Sequence, residues 1–356
     1  MRSTPLARLL ALLATAGIAL GAAATPAAAH GADAPDATNY RTTLTSMNPV
    51  NPGLEVKVIE AGARLQLTST LPAKVEVLGY EGEPYLEVRP DGVYENVNSP
   101  AVYINANLTG GVEPPANANP TSPPQWRKLS DDRVARWHDR RAHWASVTPP
   151  PAVAADPAQP HLISEWSVPL RIELATIEIN GTLAWDPPPS PALWWGLAAV
   201  VALLLVPLGL VRRRVGVPAM GLILILGGVS ALAYIGAREL DAGNDTFATI
   251  VAGIWATELW PAVAGLAALA AGIFALTRRP ATEFALALGG AGLAMFGGIV
   301  NAAVYFRSVA PVPWADTTAR LVVTAAIGIG AGIAGAASLT LRLQKPAAAE
   351  KEEATE

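Results

Sequence analysis

Residues 194–214 read WWGLAAVVALLLVPLGLVRRR, and this stretch decides the fold class. Trp194–Val211 carries no charge, and Arg212, Arg213 and Arg214 close it. At 1.5 Å of rise per residue an uncharged helix of this length covers about 27 Å, close to the hydrocarbon thickness of a bilayer. Four more stretches of the same kind follow: Val217–Ala237, a span within Ile254–Leu276 that ends at Arg278-Arg279, Phe284–Phe306, and Leu321–Leu341 before Arg342 and Lys345. Residues 191–345 are thus expected to form an α-helical transmembrane bundle of five spans. Phe247–Leu276 is too long for one span and is interrupted by Glu258 and Pro261. It reads as a helix over Phe247–Trp255 lying near the interface and feeding a span that starts near Glu258. A single tilted helix kinked at Pro261 is the alternative.

Composition agrees with a division into two parts. Of 356 residues, 51% are hydrophobic and only 15% charged. Residues 30–190 hold 12 Lys and Arg against 19 Asp and Glu, a net charge of −7. That part offers no basic stripe for nucleic acid. The chain has no cysteine, so disulfides, thiolate metal sites, iron–sulfur clusters and cysteine nucleophiles are excluded.

Orientation follows from the positive charges. Arg212, Arg213, Arg214, Arg278, Arg279, Arg342, Lys345 and Lys351 fall on one side, and only Arg238, Arg307 and Arg320 on the other. The richer side is cytoplasmic by the positive-inside rule. Trp194, Trp195, Trp255, Trp260, Trp314, Tyr234 and Tyr305 all gather at the opposite, outer ends of the spans. Residues 30–190 are therefore expected outside the plasma membrane, with an acidic cytoplasmic tail over 346–356. Residues 1–29 read as a signal peptide: Arg2 and Arg8, then apolar Leu9–Ala22, then Ala27-Ala28-Ala29 as the cleavage pattern. Cleavage there would leave His30 as the mature N-terminus.

The outer part reads as an all-β sandwich. Leu54, Val56 and Val58 alternate with charged residues, and Leu65 with Leu67, Val75 with Val77, and Tyr85, Leu86 and Val88 continue the pattern. Asp91-Gly92 predicts a hairpin, Val102–Ile104 a short strand, and Asn180-Gly181 a second hairpin turn following Ile177 and Ile179. Pro187-Pro188-Pro189 and Pro191 predict a stiff spacer to the membrane.

Between the strand groups lies a Pro-rich, aromatic insertion over about 112–160. Its distinctive stretch is Trp137-His138-Asp139-Arg140-Arg141-Ala142-His143-Trp144. On a helix, Trp137, Arg140, Arg141 and Trp144 would share one face, with guanidinium planes stacked on indoles. This stretch and Tyr80, Tyr85 and Tyr103 are the expected binding surface for another membrane or cell-surface protein. His138 and His143 are five apart, about 140° around a helix, so a regular helix could not bring both to one metal ion. His30, as an N-terminal residue, could chelate Cu(II) through its amine and imidazole, completed by His138, His143 or His161.

Catalysis is not expected. No G-x-S-x-G nucleophile elbow is present, and no His, Lys, Arg or Asp lies near the centre of a span. Glu258 and Asn301 are the polar candidates, both towards the outer ends. Glycines crowd the fourth span, and Gly328 and Gly332 form a small-xxx-small pair in the fifth, so the bundle reads as a packing platform and anchor.

Two resemblances stand beside this reading. The order of leader, N-terminal His30, β-sandwich and multi-span tail resembles CopC–CopD-type copper proteins, which implies copper binding or delivery as an alternative function. The five spans hold no histidine, which departs from a copper-transport bundle. Gly79-Tyr80-Glu81-Gly82-Glu83-Pro84-Tyr85-Leu86, Ser99-Pro100-Ala101-Val102-Tyr103 and the Trp137–Trp144 stretch more closely resemble an uncharacterised family of actinobacterial multipass membrane proteins with a W-H-D-x-R-x-H-W-like motif. That resemblance implies an architecture and no activity. The expected function is a non-catalytic membrane protein displaying an extracytoplasmic binding domain, with no cofactor unless copper binds.

Overall fold

A computed structural model describes residues 36–108 and 112–343. The signal-peptide reading, His30 and the acidic tail lie outside the described residues. Those described form a β-domain followed by a helical bundle.

The β-domain has ten strands: β1 (Tyr40–Asn48), β2 (Leu54–Ile59), β3 (Arg64–Ser69), β4 (Val75–Leu78), β5 (Pro84–Arg89), β6 (Gly92–Asn96), β7 (Trp126–Ser130), β8 (Val134–Trp137), β9 (His161–Ile172) and β10 (Ala175–Trp185). Two short helices, α1 (Pro100–Ile104) and α2 (Pro151–Ala155), join them. The strands make a seven-stranded antiparallel sheet, in the order β1-β10-β9-β4-β5-β6-β7, and a three-stranded sheet, β2-β3-β8. Period-two alternation explains the core. Leu65, Leu67 and Trp137 from the small sheet pack with Val77, Val88, Trp166, Val168, Leu170, Ile179 and Leu183 from the large one.

Three local expectations are overturned. Val102–Ile104 is helical, because Ser99 caps the turn by accepting from the Ala101 N–H and Pro100 opens it with a preset φ. The insertion between the strand groups is itself part of the sheets: β7 pairs with β6 and β8 with β3, so it supplies a strand to each. Asn180-Gly181 is no turn. It lies within β10 opposite Ser167 and Trp166, and the chain reverses instead at Glu173-Leu174, where Glu173 takes φ 54°. Gly181 serves packing: a Cβ there would run into the Trp166 ring and the Thr43 carbonyl. Gly181→Ala is expected to cost about 1–3 kcal/mol, the usual range for overpacking, read as a lowered unfolding midpoint. An unchanged midpoint would mean that the indole can move aside.

The bundle begins with α3 (Pro191–Leu205), which tightens into a 3₁₀ turn over Val206–Leu210. Then come α4 (Arg213–Asp241), α5 (Phe247–Thr257), α6 (Leu259–Leu276), α7 (Thr282–Gly292) and α8 (Asp316–Leu343). After α7 the chain continues through a π-helical stretch, Leu293–Gly298, and a 3₁₀ stretch, Ile299–Tyr305. Five segments are long and apolar enough to cross a membrane: Pro191–Leu210, Arg213–Asp241, Leu259–Leu276, Thr282–Tyr305 and Asp316–Leu343. Phe247–Leu276 divides at Glu258 into two helices, the first of the two sequence readings.

Glycines set the helix spacing. Gly221 and Gly228 of α4 lie against the backbone of Gly272 and Gly265 of α6, and Gly290 of α7 against Gly330 of α8. Gly328 and Gly332 receive the carbonyls of Ala198 and Ala202 on α3. Backbones approach this closely only where no Cβ intervenes, which is how helices gain van der Waals contact in lipid.

The β-domain does not hang from its proline spacer; it docks on the bundle. Thr38 and Val309 exchange two backbone hydrogen bonds, of 3.0 and 2.8 Å. The Arg41 guanidinium bridges Asp186 at 2.6 Å and Asp316 at 2.8 Å. Ser308 Oγ donates to the carbonyls of Asp186 and Pro187. On another side, Glu60, Ala61 and Gly62 take φ of 54°, 53° and 95° in succession, and the Ala61 N–H meets Asp241 Oδ2 at 2.8 Å. The aromatic residues at this end divide accordingly. Trp194 and Tyr305 stack at 6.1 Å and, with Tyr234, are buried beneath the β-domain, whereas Trp255 and Trp260 stay exposed.

Candidate functional site

The Trp137–Trp144 stretch is a turn, not a helix, and the expected face of stacked indoles and guanidinia is not formed. Trp137 closes β8 opposite Leu65, which points its ring into the core and its Nε1–H at Asp139 Oδ2, 3.0 Å away. Asp139, 1% exposed, also accepts from the Arg141 backbone N–H at 3.1 Å and from Arg141 Nε and Nη2, both at 2.8 Å. Arg141 reaches the Leu78 carbonyl and lies 4.9 Å above the Tyr80 ring, so the cation–π partner is a tyrosine of the neighbouring strand end. Tyr80 Oη donates to Asn105 Oδ1 at 2.5 Å and accepts from the Arg140 N–H.

The ionisation of these groups follows from burial and pairing. Burial and the Asp139 charge push the Tyr80 phenol up to about 12. Burial raises Tyr85 as well. For Arg141 burial pulls downward, but the hydrogen bonds and charge of Asp139 win, and the guanidinium is held above its ordinary value. His143 is lowered by burial, partly offset by the Leu108 carbonyl.

The expected surface therefore divides. Trp137, His138, Asp139, His143 and Tyr85 are buried; Arg141, Tyr80, Tyr103 and Trp144 are half-buried; Arg140 is exposed. Tyr103 Oη donates to the Val97 carbonyl, and Trp144 stacks on Tyr40 at 6.2 Å. Tyr40, His143, Trp144, Gly62 and Arg307 help line a cleft of ≈ 200 Å³ on the seam between β-domain and bundle.

The histidines are engaged with the protein backbone. The turn brings the His138 and His143 rings within 6.2 Å, closer than a helix would. His138 Nδ1 faces the Ala63 carbonyl at 2.8 Å while its Nε2 accepts from Arg64 Nε at 3.2 Å, a pairing that suits the neutral Nδ1–H tautomer. His143 Nε2 meets the Leu108 carbonyl at 3.0 Å and His161 Nε2 the Asp156 carbonyl at 2.6 Å. Among the described residues no group of three or more His, Asp or Glu is arranged to hold a metal ion.

A second site was not legible as such. The sequence singled out Glu258 and Asn301 as polar candidates towards the outer ends of the spans but placed Arg238 in an outer loop. Instead α4 continues to Asp241 and carries Arg238 inward, where it is 8% exposed. Arg238 Nε pairs with Glu258 Oε1 at 3.0 Å, Nη1 donates to Asn301 Oδ1 at 3.1 Å, and Nη2 lies 3.5 Å from Asp36 Oδ1. One guanidinium thus joins α4, the α5–α6 junction, the fourth span and the segment leading into β1. Asn301 reaches it from the stretch where the fourth span leaves α-helical geometry, a kind of irregularity frequent at functional positions. The Tyr234 hydroxyl, one turn before Arg238, is buried and has no hydrogen-bond partner among the described residues. Two further buried charges serve helix ends. Arg320 donates to the carbonyls of Val304, Arg307 and Ser308 where the fourth span closes. Glu283 is 3% exposed and pairs with Arg213 at 2.5 Å.

Comparison with family models, with curated proteins and with solved structures returned no match. The reading of function therefore rests on geometry.

Proposed function

We propose that the chain is a non-catalytic multipass protein of the plasma membrane that presents its β-domain on the outer face as a binding module for another membrane or cell-surface protein. The observation that supports this best is the docking of the β-domain through Arg41, the Arg238–Asp36 pair and the Thr38–Val309 bridge. A domain held this way offers one fixed surface at one height above the lipid, which lowers the ordering cost of recognition. Arg140 and the outer edge of Trp144, beside the seam cleft, are the contact residues of this reading. Arg212–Arg214, Arg278-Arg279 and Arg342 at the opposite helix ends support the orientation.

The absence of cysteine makes single-cysteine variants clean reporters. Val147→Cys, at a position 97% exposed, should react with a membrane-impermeant maleimide on intact cells, and Arg279→Cys only after permeabilisation. A photo-crosslinker at position 140 should yield a discrete membrane-protein adduct that Trp144→Ala abolishes while the unfolding midpoint holds. The opposite labelling pattern would reverse the orientation, and an adduct indifferent to Trp144→Ala would remove the proposed surface.

A further inference from the structure

Helix α5 is built inside out for a helix on a water-facing surface. Its sequence, Phe247–Thr257, has no charged residue, and none of its eleven residues is buried. The half-buried residues Ile250, Gly253, Ile254 and Thr257 recur at i, i+3, i+4 and i+7, which makes one docked stripe. The opposite arc holds Ala248, Ala252, Trp255 and Ala256, all exposed, with Trp255 at 68%; Thr249 flanks it, and Phe247, 84% exposed, opens the helix at the edge of the docked stripe. In water that arc would be polar. The start of the helix is capped by Thr246 and Thr249, which make a reciprocal capping box.

Both ends of this helix are tied to one side chain. Glu239, 5% exposed near the end of α4, accepts from Asn244 Nδ2 at 2.7 Å, just ahead of α5, and from Thr257 Oγ1 at 3.0 Å, its last residue. Its carboxylate lies flat against Gly253, where any Cβ would collide with it. Immediately beyond, Glu258 is held by Arg238. The next helix, α6, follows directly after Glu258 and exposes Trp260, Val263, Leu266 and Ile273.

We infer that α5 is a lipid-embedded arm, lying in the leaflet nearest the β-domain with Phe247 and Trp255 among acyl chains, and pinned to α4 by the Glu239 carboxylate. The occupant of the exposed arc is hydrocarbon because α5 carries no charge, exposes Trp255 and alanines, and runs directly into a span whose exposed residues are apolar. The inference rests on the membrane-spanning reading of the bundle and is independent of what the β-domain binds.

The test uses nitroxide labels on single cysteines at positions 247, 252 and 256 of the full chain in phosphatidylcholine vesicles. Labels at all three should collide more often with oxygen, which concentrates in hydrocarbon, than with a water-soluble nickel chelate. Glu239→Ala should sharpen the spectrum at position 252 by freeing the arm, while a label at Val147 in the β-domain is unaffected. Preferential collision with nickel would place the arm in water and overturn the inference. Labels shielded from both reagents would mean that protein, such as a second copy of the chain, covers the arc, which also overturns it. An unaltered spectrum in Glu239→Ala would remove the pinning role. A failure of spanning itself would appear separately, as nickel access at Leu226 in the middle of α4.

Discussion

Arg238→Ala is expected to cost the folded protein about 3–5 kcal/mol, the range for removing one partner of a buried ion pair. Glu258 is 1% exposed and Asn301 2%, so neither can turn to water when the guanidinium is removed. Asp36 would lose the cation that draws the start of the β-domain to the bundle. The measurement is the unfolding midpoint of detergent-solubilised protein followed by tryptophan fluorescence. A control separates lost charge balance from lost packing. Arg238→Met with Glu258→Gln removes both charges at similar volume and should recover most of the loss, because well-packed neutral replacements for buried pairs are often tolerated. A cost below about 1 kcal/mol for Arg238→Ala would mean that the pair is hydrated and exchangeable, as at an ordinary surface.

Asp139→Ala carries the second large effect, also about 3–5 kcal/mol. The carboxylate gathers four donors: the Trp137 indole, the Arg141 backbone N–H, and Arg141 Nε and Nη2. Without it, a mostly buried guanidinium loses its counter-ion and the turn after β8 loses what closes it. Asp139→Asn keeps one acceptor oxygen but sets an NH2 group against two of the four donors, so it should recover only part of the loss. Limited proteolysis should cut near residues 140–148 in Asp139→Ala and spare the unaltered chain. An Asp139→Asn midpoint equal to that of the unaltered chain would show that the charge of Asp139 contributes nothing.

The five spans were legible because length and apolarity are properties of a single stretch of chain. What the sequence could not convey was how far each helix continues beyond the hydrocarbon. α4 runs to Asp241, four residues past the expected end at Ala237, and those four include Arg238 and Glu239. An arginine at a span boundary reads as a topological charge; only the neighbouring helices turn it into a buried tie.

In the β-domain, alternation marked β2 to β5 and part of β10, because one buried face imposes period two, but it left out β1, β7 and β8. Turn chemistry was less informative. Asp91-Gly92 does reverse the chain between β5 and β6, but Asn180-Gly181, with the same local signal, is carried through β10 because Trp166 needs the space above Gly181. Likewise the spacing of Trp137, Arg140, Arg141 and Trp144 fits a helical face, yet pairing of β8 with β3 takes Trp137 into a sheet first. Tertiary pairing outweighs local preference in both places.

The Thr38–Val309 bridge bears on the order of assembly. The strands are complete at Trp185, but the partners of residues 38–41 lie at Ser308, Val309 and Asp316, beyond four of the five spans. During synthesis the head must wait, folded or folding, for more than a hundred residues before its seat exists. Seating is then a late checkpoint that closes the chain end to end, so a defect anywhere in the later helices would leave an intact head adrift.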